Sequence, residues 1–404
     1  MTKNELKERV YAAIDRRAEE IVGLGERIRK HPELGFKEVK TARLVEETFG
    51  KLGLSPKSGL AMTGVRADVA GRAGAGPTFA LLGELDALVV TGHPVADPQT
   101  GAAHACGHNA QVAGLLGAAM GLLDSQAFDH LAGRVVFFAV PAEEYGDIEW
   151  RVTQARAGKL EFLGGKPELL RLGHFDDVDL SMMIHTTSRT EDGKTGVPAS
   201  NNGCIVKTIK YIGRASHAGG APHQGINALY AAQIGLAAIN ALREAILDAN
   251  KKVDRAFKAG ALALGAKVEI ETLPGYMPMT CDATMAKMYK ENAAALVGAD
   301  NFRQIGHRTG STDMGDLSMV MPVLHPYMGG ATGSGHGADY MIVDQQLAYL
   351  GTAKGLAGMV IDLLADGAGG AKDVLKTNKP PMTREQYLTF QRGLAKREAY
   401  DGHA

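Results

Sequence analysis

The stretch TFALLGELDAL, Thr78–Leu88, indicates the fold, because a run of apolar residues ends in the two carboxylates Glu84 and Asp86. The stretch RVVFFAVPAEE, Arg134–Glu144, repeats this pattern, and LSMMIH, Leu180–His185, ends in a histidine. Short apolar runs of this length, separated by helical segments, predict the strands of a largely parallel, buried sheet. We therefore predict an α/β fold in which helices cover both faces of a mainly parallel sheet.

Polar side chains follow all three predicted strands at the same end. They are Glu84 and Asp86, then Glu143 and Glu144, and finally His185. Ligands of open α/β sheets bind outside the carboxyl ends of the strands. The sequence therefore predicts a functional site at this edge of the sheet.

The amino-acid composition of the chain changes after His185. Residues 186–202 are polar and rich in Gly, Ser and Thr, which predicts a linker. Strands are predicted at 204–212 and 267–273, with an Ala-rich helix at about 226–249 between them.

Glycine-rich loops typical of the first region return from Gly310. We therefore predict one α/β domain in two parts, 1–190 and 309–404. A smaller α+β insert, at 200–308, interrupts it. The polar tail after Asn378 is predicted to be an exposed helix.

Composition limits the class of partner. The 404 residues include 44 Lys and Arg against 45 Asp and Glu, a net charge of −1, which supplies no field for nucleic acid or an anionic membrane. No run approaches the roughly 18 uncharged apolar residues of a membrane span, and the charged N-terminus does not resemble a signal peptide. Three scattered cysteines, Cys106, Cys204 and Cys281, favour a reducing compartment. We expect a cytoplasmic protein that binds small molecules.

Cys106 and His108 stand two positions apart in HACGHN, just before a predicted helix. Alternate side chains of an extended segment point the same way, so a thiolate and an imidazole could reach one metal ion or two adjacent ones. The pair favours zinc-like metals of borderline softness. A small buried cysteine beside a hydrogen-bonded histidine is the alternative interpretation.

Glu143 and Glu144 leave a very hydrophobic strand together. Adjacent side chains diverge, so one carboxylate can bind metal while the other faces a water molecule. Metal-assisted hydrolysis needs this pairing of a Lewis acid with a general base. A solvated turn is the alternative.

Two further histidines are candidate ligands. His185 ends its strand, and His336 lies between two glycines that leave its imidazole unshielded. His93 and His104 are candidates for supporting a ligand. Six other histidines are expected to be turn, core or surface residues: His31, His130, His174, His307, His325 and His403.

Six blocks of sequence occur in an order that resembles one known family. They are GELDAL (83–88), HACGHN (104–109), PAEE (141–144), His185 after its strand, SHAGGAPHQGINAL (216–229) and GSTDMGDLS (310–318). Together they resemble the aminoacylase/carboxypeptidase metallopeptidase superfamily, peptidase family 20 of the metallo clan, over about residues 5–365. The similarity is to its amidohydrolase branch, which includes hippurate and indole-3-acetyl-amino-acid hydrolases, and especially to aminobenzoyl-glutamate hydrolase and β-alanyl-dipeptidase.

The resemblance implies a centre of two divalent metal ions, Zn or Mn, in a domain split by a lid that often dimerises, and hence a homodimer or homotetramer. It implies five metal ligands, of which the cysteine is the bridge: Cys106, His108, Glu144, His185 and His336.

The resemblance also implies roles beside the metal. Glu143 would be the general base, and Asp86 would orient a metal ligand. His217 would stabilise the tetrahedral oxyanion in its own or a neighbouring subunit.

Two features depart from the family pattern. Asn109 replaces the aspartate usual in the hippurate-type branch, which favours the aminobenzoyl-glutamate side. The family lid has a four-stranded sheet and two helices, whereas no strand pair is predicted between Ile212 and Lys267, so the lid is expected to be shortened.

We therefore expect metal-dependent hydrolysis of the amide bond of an N-acyl, N-aroyl or aminoacyl amino acid. Arg214 and Asn227 are candidates for binding the substrate carboxylate by position only. Two alternatives stay open: a hydrolase in which His108 activates Cys106 as a nucleophile, and a non-catalytic relative that binds metal or substrate.

Overall fold

A computed structural model describes residues 1–240 and 246–403. These residues form two compact units. The first joins Met1–Asn202 to Met277–Arg384, and the second joins Gly203–Tyr276 to Glu385–Ala404.

The first unit contains a six-stranded sheet. In spatial order its strands are Lys57–Leu60, Gly64–Ala70, Arg134–Val140, Thr78–Glu84, Leu180–Met182 and Val323–Leu324. The last four are mutually parallel, while the first two pair antiparallel with their neighbours. The strand Thr78–Glu84 is buried along its whole length, as its unbroken apolar run requires. The predicted α/β class with a parallel-rich sheet is confirmed.

Helices of the first unit pack around this sheet. They are Lys3–Arg16, Ala18–Arg29, Val39–Lys51, His108–Asp124, Ile148–Arg156, Gly165–Arg171, Ala283–Val297, Met314–Ser318 and Thr352–Thr377, the last preceded by a π-helical turn at Gln346–Gly351. The helix His108–Asp124 is apolar on every side and is buried from His108 to Leu122. Burial on all sides is what a helix without a polar face requires.

The helical segment Gln346–Thr377, which is interrupted by non-helical residues at 365–368, is long and apolar enough to cross a membrane by length and composition, which the sequence analysis did not expect. Its apolar window is 78% buried inside the fold. This is the position of a core helix, and its apolar composition follows from that burial.

A second sheet of the first unit contains Thr195–Asn202, within the segment predicted to be a linker. That prediction is wrong, because this strand pairs with Phe302–Ser311 in parallel and with Tyr327–Met328 and Met279–Thr280 antiparallel. The pairing also places residues 277–308 in the first unit, whereas the sequence analysis placed them in the insert. The short strand His185–Thr186 joins the same sheet.

The second unit is an antiparallel sheet with helices and a small core of its own. Its strands, in spatial order, are Ile205–Ile212, Lys267–Pro274 and Lys396–Asp401, and its helices are Ala228–Asn240, Ile246–Leu264 and Arg384–Leu394. Among the residues that the structure describes, six buried ones form this core: Ala231, Phe257, Ala261, Ala266, Val268 and Ile270.

The C-terminal tail differs from its prediction as one exposed helix. Lys396–Asp401 is a strand that pairs with Lys267–Thr272, so the tail belongs with the insert. The described residues between Ile212 and Lys267 contain no strand, as expected, while residues 241–245 of the predicted helix lie outside the description.

Candidate metal centre

The candidate site lies where the parallel strands of the first unit end. The strand Thr78–Glu84 leads to Asp86, Arg134–Val140 leads to Glu143 and Glu144, and Leu180–Met182 leads to His185. The stretch HACGHN enters the same place at the start of the helix His108–Asp124.

Gly107 is required at the start of this helix for two reasons. Its φ of +88° is a left-handed conformation that other residues adopt at a cost. A Cβ atom there would lie 2.0 Å from Thr186 Oγ1, far closer than van der Waals contact allows. The glycine therefore lets Cys106 and His108 sit against the adjoining strand.

The five predicted ligands form two clusters that share one residue. Cys106, His108 and His185 make one cluster, and Cys106, Glu144 and His336 make the other. Within each, the potential ligand atoms all lie within 4.8 Å of one another. Cys106 Sγ is 3.2 Å from His185 Nε2, and His336 Nε2 is 3.2 Å from Glu144 Oε1. Residues far apart in sequence thus converge around Cys106, while their role as ligands stays a prediction.

The hydrogen bonds of two histidines leave the correct nitrogen free for a metal. His185 Nδ1 donates to the carbonyl of Thr186 at 2.7 Å, and His108 Nδ1 donates to the carbonyl of Asp86 at 2.9 Å. A carbonyl oxygen only accepts, so Nδ1 carries a proton in both rings, and Nε2 is the nitrogen that can bind a metal ion. Such bonds are how proteins orient metal-binding histidines.

Asp86 is buried between two of the predicted ligands. Its Oδ1 lies 3.2 Å from His108 Nδ1, and its Oδ2 accepts a hydrogen bond from the backbone N–H of Glu144 at 2.8 Å. One carboxylate therefore contacts a residue of each cluster, the ring of His108 and the backbone of Glu144, which suits the orienting role predicted for it.

His108 Nε2 and Glu144 Oε1 are buried atoms without a well-aligned hydrogen bond among the described residues, although Glu84 Oε2 lies 3.1 Å from the first and His336 Nε2 lies 3.2 Å from the second. Each atom belongs to a different cluster, and a metal ion bound at that cluster would give it a partner. A thiol, imidazoles and a carboxylate form a donor set suited to borderline divalent metals. The residues therefore fit two such ions.

The balance of charge at the site also favours cations. Against the effect of burial, the Glu84 carboxylate raises the pKa of His108 well above its ordinary value. Burial, together with the Glu84 and Glu144 carboxylates, raises the pKa of Glu143 well above its ordinary value. The neighbouring carboxylates thus favour the protonated forms of His108 and Glu143. Bound divalent ions would supply this positive charge in place of the protons.

Sequence reasoning missed a fully buried ion-pair triad beside Glu143. Lys166 Nζ lies 2.5 Å from Glu84 Oε1 and also contacts Asp313. Although burial opposes it, the Lys166 ammonium lowers the pKa of Glu84 to about 2. The blocks GELDAL and GSTDMGDLS contain both acids, but a lone lysine in GGKPELL carries no pattern that could have identified it.

Three other buried histidines belong to the first unit. The ring of His325 stacks on that of His185 with centroids 5.8 Å apart, and His93 Nε2 bonds the carbonyl of Tyr340 at 2.8 Å. His104 is buried, and neither of its nitrogens has a hydrogen-bond partner among the described residues. None of these three belongs to either cluster.

Three predicted site residues belong to the second unit, where each is engaged locally. His217 Nδ1 accepts from the N–H groups of Gly219 and Gly220, at 3.2 and 2.7 Å. The proton of this exposed ring is therefore on Nε2, which can donate to an oxyanion as predicted. Arg214 Nε donates to the carbonyl of Gln224 at 2.6 Å.

Asn227 begins the helix Ala228–Asn240. Its Oδ1 accepts from the N–H groups of Leu229 and Tyr230 at 3.0 and 3.1 Å, the pattern of a helix N-cap. The predicted substrate contacts of Arg214 and Asn227 stay predictions, and both side chains have structural partners without a substrate.

Comparison with known proteins gives a family match over most of the chain. The sequence model of Peptidase family M20/M25/M40 matches residues 80–351. The Xaa-Arg dipeptidase of Mus musculus is 28% identical over 95% of this chain and 94% of its own length. The N-acyl-L-amino acid amidohydrolase of Geobacillus stearothermophilus is 31% identical, but this match spans only 57% of each chain.

A solved structure shares the fold. The dinuclear metal binding peptidase from the M20 family of Bacillus subtilis superimposes with a TM-score of 0.63 and 20% identity. The match covers 86% of this chain and 98% of that structure.

Proposed function

Because this chain belongs to peptidase family M20/M25/M40 and is a hydrolase of that family, we propose that it hydrolyses the amide bond of an N-acyl, N-aroyl or aminoacyl amino acid. The observation that carries the proposal is the pair of clusters sharing Cys106, with Glu143 beside them. Binding alone would need no such base.

Cys106, His108 and His185 would hold one divalent ion, and Cys106, Glu144 and His336 the other. When bound, ions of this kind polarise a scissile carbonyl and lower the pKa of water to about 7. The hard and soft donors together suit Zn or Mn, and affinity order alone does not decide which is present in a cell.

Glu143 is the residue suited to moving the proton. It is buried, its pKa is raised, and its Oε2 lies 3.9 Å from His108 Nε2, at the edge of the first cluster. Glu143 takes a proton from the attacking water and gives it to the departing amine nitrogen. A carboxylate with a raised pKa suits this role, because it accepts a proton readily. Stabilisation of the oxyanion by His217, from its own or a neighbouring subunit, stays a prediction, and its Nε2–H is the donor available for that role.

The alternative in which Cys106 is the nucleophile lacks an activated thiolate. Burial and the Glu144 carboxylate raise the pKa of the Cys106 thiol well above its ordinary value. The nearby His108 imidazole, which this alternative makes the base, offsets that rise only in part. A reactive cysteine needs a lowered pKa.

The direct test is a panel of N-acyl amino acids, N-aroyl amino acids and dipeptides assayed with metal-reconstituted protein. We expect amine release from members of this panel that stops when a chelator removes the metal and resumes when Zn or Mn is restored. Turnover by metal-free protein that iodoacetamide abolishes would contradict the proposal and favour the cysteine nucleophile.

A further inference from the structure

A buried arginine lies directly behind one predicted metal ligand. Arg151 is in the helix Ile148–Arg156, which follows the PAEE block after only three residues, and its side chain is 1% exposed. A cationic side chain this deeply buried is normally paired with an acid.

The partners of Arg151 are all neutral. Its Nη1 donates to the carbonyl of Leu163 at 2.7 Å, and its Nη2 donates to the carbonyl of Glu144 at 2.8 Å. Its Nε has no hydrogen-bond partner among the described residues, and the ring of Phe36 lies 5.2 Å from the guanidinium carbon. Within the described ranges, no carboxylate forms an ion pair with this guanidinium.

Arg151 also lines a cavity of about 350 Å³ that reaches the second cluster. The remaining lining residues combine an apolar wall with the metal-ligand end: Leu34, Gly35, Ala87, Leu88, Val89, Glu144, Tyr145, Gly146 and Asp147. Gly35 makes room for the arginine, because a Cβ atom there would lie 2.2 Å from Arg151 Nη2.

The two acidic residues that line this cavity already have partners. Asp147 Oδ2 is paired with Lys37 Nζ at 2.5 Å, and Glu144 belongs to the cluster with Cys106 and His336. The guanidinium of Arg151 is therefore the uncompensated charge at this cavity, and a volume of this size suits a small ligand.

Resting on the proposed function, we propose that this cavity is a substrate subsite in which Arg151 binds a carboxylate of the substrate. The N–H groups of Arg151 that the two carbonyls leave unused can donate to both carboxylate oxygens. The chain thus selects acids over their amides. The carboxylate is either the α-carboxylate of the amino acid or that of an acidic side chain.

Another role for Arg151 would be purely structural, since it holds the carbonyl of Glu144. That role predicts an equal loss for every substrate when Arg151 is changed. The subsite predicts a loss for acids only, so the ratio between an acid and its amide distinguishes the two roles.

The test measures binding by isothermal titration calorimetry in metal-loaded Glu143→Gln protein, so that turnover does not interfere. One pair of probes is N-acetyl-L-glutamate and N-acetyl-L-glutamine, and the other is N-acetyl-L-methionine and its α-amide. We expect the acid of at least one pair to bind about 10- to 100-fold more tightly than the amide, and Arg151→Met to remove this preference. The pair of probes that shows this preference for the acid identifies which carboxylate is bound.

A change at the exposed wall of the cavity gives the answer even if the Arg151 variant does not fold. Val89 is 56% exposed and lines the cavity, so Val89→Asp adds a repelling charge without disturbing the core. We expect it to weaken binding of the acid several-fold and to leave the amide unchanged, whereas Leu375→Asp, at an exposed position that does not line the cavity, changes neither.

Equal binding of acids and amides, or an unchanged ratio in both Arg151→Met and Val89→Asp, would overturn the inference. Acid-selective binding without hydrolysis of any panel member by the wild-type protein would support the carboxylate site and remove the proposed function. The two failures are therefore distinguishable.

Discussion

The cluster around Cys106 and the loop Ser216–Leu229 both contain predicted catalytic residues, but the fold treats them differently. In the cluster, His108 is fully buried and its ring is fixed by Asp86. In the loop, His217 is exposed and is hydrogen-bonded only to its own loop. The cluster is therefore organised before any ligand arrives.

The difference follows from the cores on which these regions rest. The cluster sits at the end of a sheet whose strand Thr78–Glu84 is completely buried. The loop belongs to the second unit, whose core is small over the part of the chain that the structure describes. Preorganised groups are the ones that give large electrostatic effects in catalysis. Substitutions in the cluster should therefore affect both metal binding and chemistry. Substitutions in the loop should affect chemistry or local stability.

The largest effect is expected from Glu143→Gln, which keeps the shape of the side chain and removes its ability to carry a proton. We expect kcat to fall by about 10²- to 10⁴-fold, while the protein still binds two equivalents of metal. Steady-state kinetics and elemental analysis of the same preparation measure both. Glu149→Gln, at an exposed position in the following helix, is the matched control. Near-normal turnover in Glu143→Gln would rule out the mechanism.

His217→Ala tests whether the second unit contributes to chemistry at all. Removal of one oxyanion donor is expected to lower kcat by about 10²- to 10³-fold, with metal content unchanged. His223→Ala, exposed in the same loop, should keep full activity. If His217→Ala and His223→Ala have the same kcat, the loop does not contribute to chemistry, and the oxyanion must be stabilised from within the first unit.

Asp86→Asn addresses the preorganisation of the cluster. An amide cannot accept hydrogen bonds from both His108 and the backbone of Glu144, so metal affinity should fall by about 10- to 100-fold. Competition with a chromophoric chelator measures this affinity. Asp129→Asn, which loses only a surface ion pair with Arg72, should bind metal normally. Wild-type affinity in Asp86→Asn would show that the orienting role is wrong.

The smallest effect is expected at Asn227. Asn227→Ala removes the N-cap of the helix Ala228–Asn240 and should cost about 1 kcal/mol of stability, whereas Asn227→Ser retains a capping oxygen and most of that stability. Thermal unfolding compares the two. If Asn227 also binds substrate, both variants will share a raised KM, which separates the two roles.

The central strands of the fold were predictable because their signal is local. The runs at 78–84 and 134–140 are apolar at nearly every position, as strands buried on both faces must be. The strand Lys396–Asp401 is polar and half exposed, and it exists because it pairs with a strand more than a hundred residues earlier. Pairing at such distance leaves no trace in the local sequence.

The same division holds for the candidate site. Cys106, His108 and Glu144 lie in short motifs whose chemistry is visible from spacing and strand ends. Lys166 and Arg151 are single cations whose importance comes from complete burial beside the cluster, which only the folded chain reveals. Burial of a charge is set by tertiary packing, so neither could be inferred from the residues alone.

The most direct measurement is anomalous X-ray diffraction from crystals grown with added Zn or Mn. The account predicts two peaks, one bounded by Cys106, His108 and His185 and the other by Cys106, Glu144 and His336, with the sulfur of Cys106 between them. Peaks at which the thiol of Cys106 and the imidazole of His336 contact different, well-separated ions, or a single ion elsewhere, would contradict it.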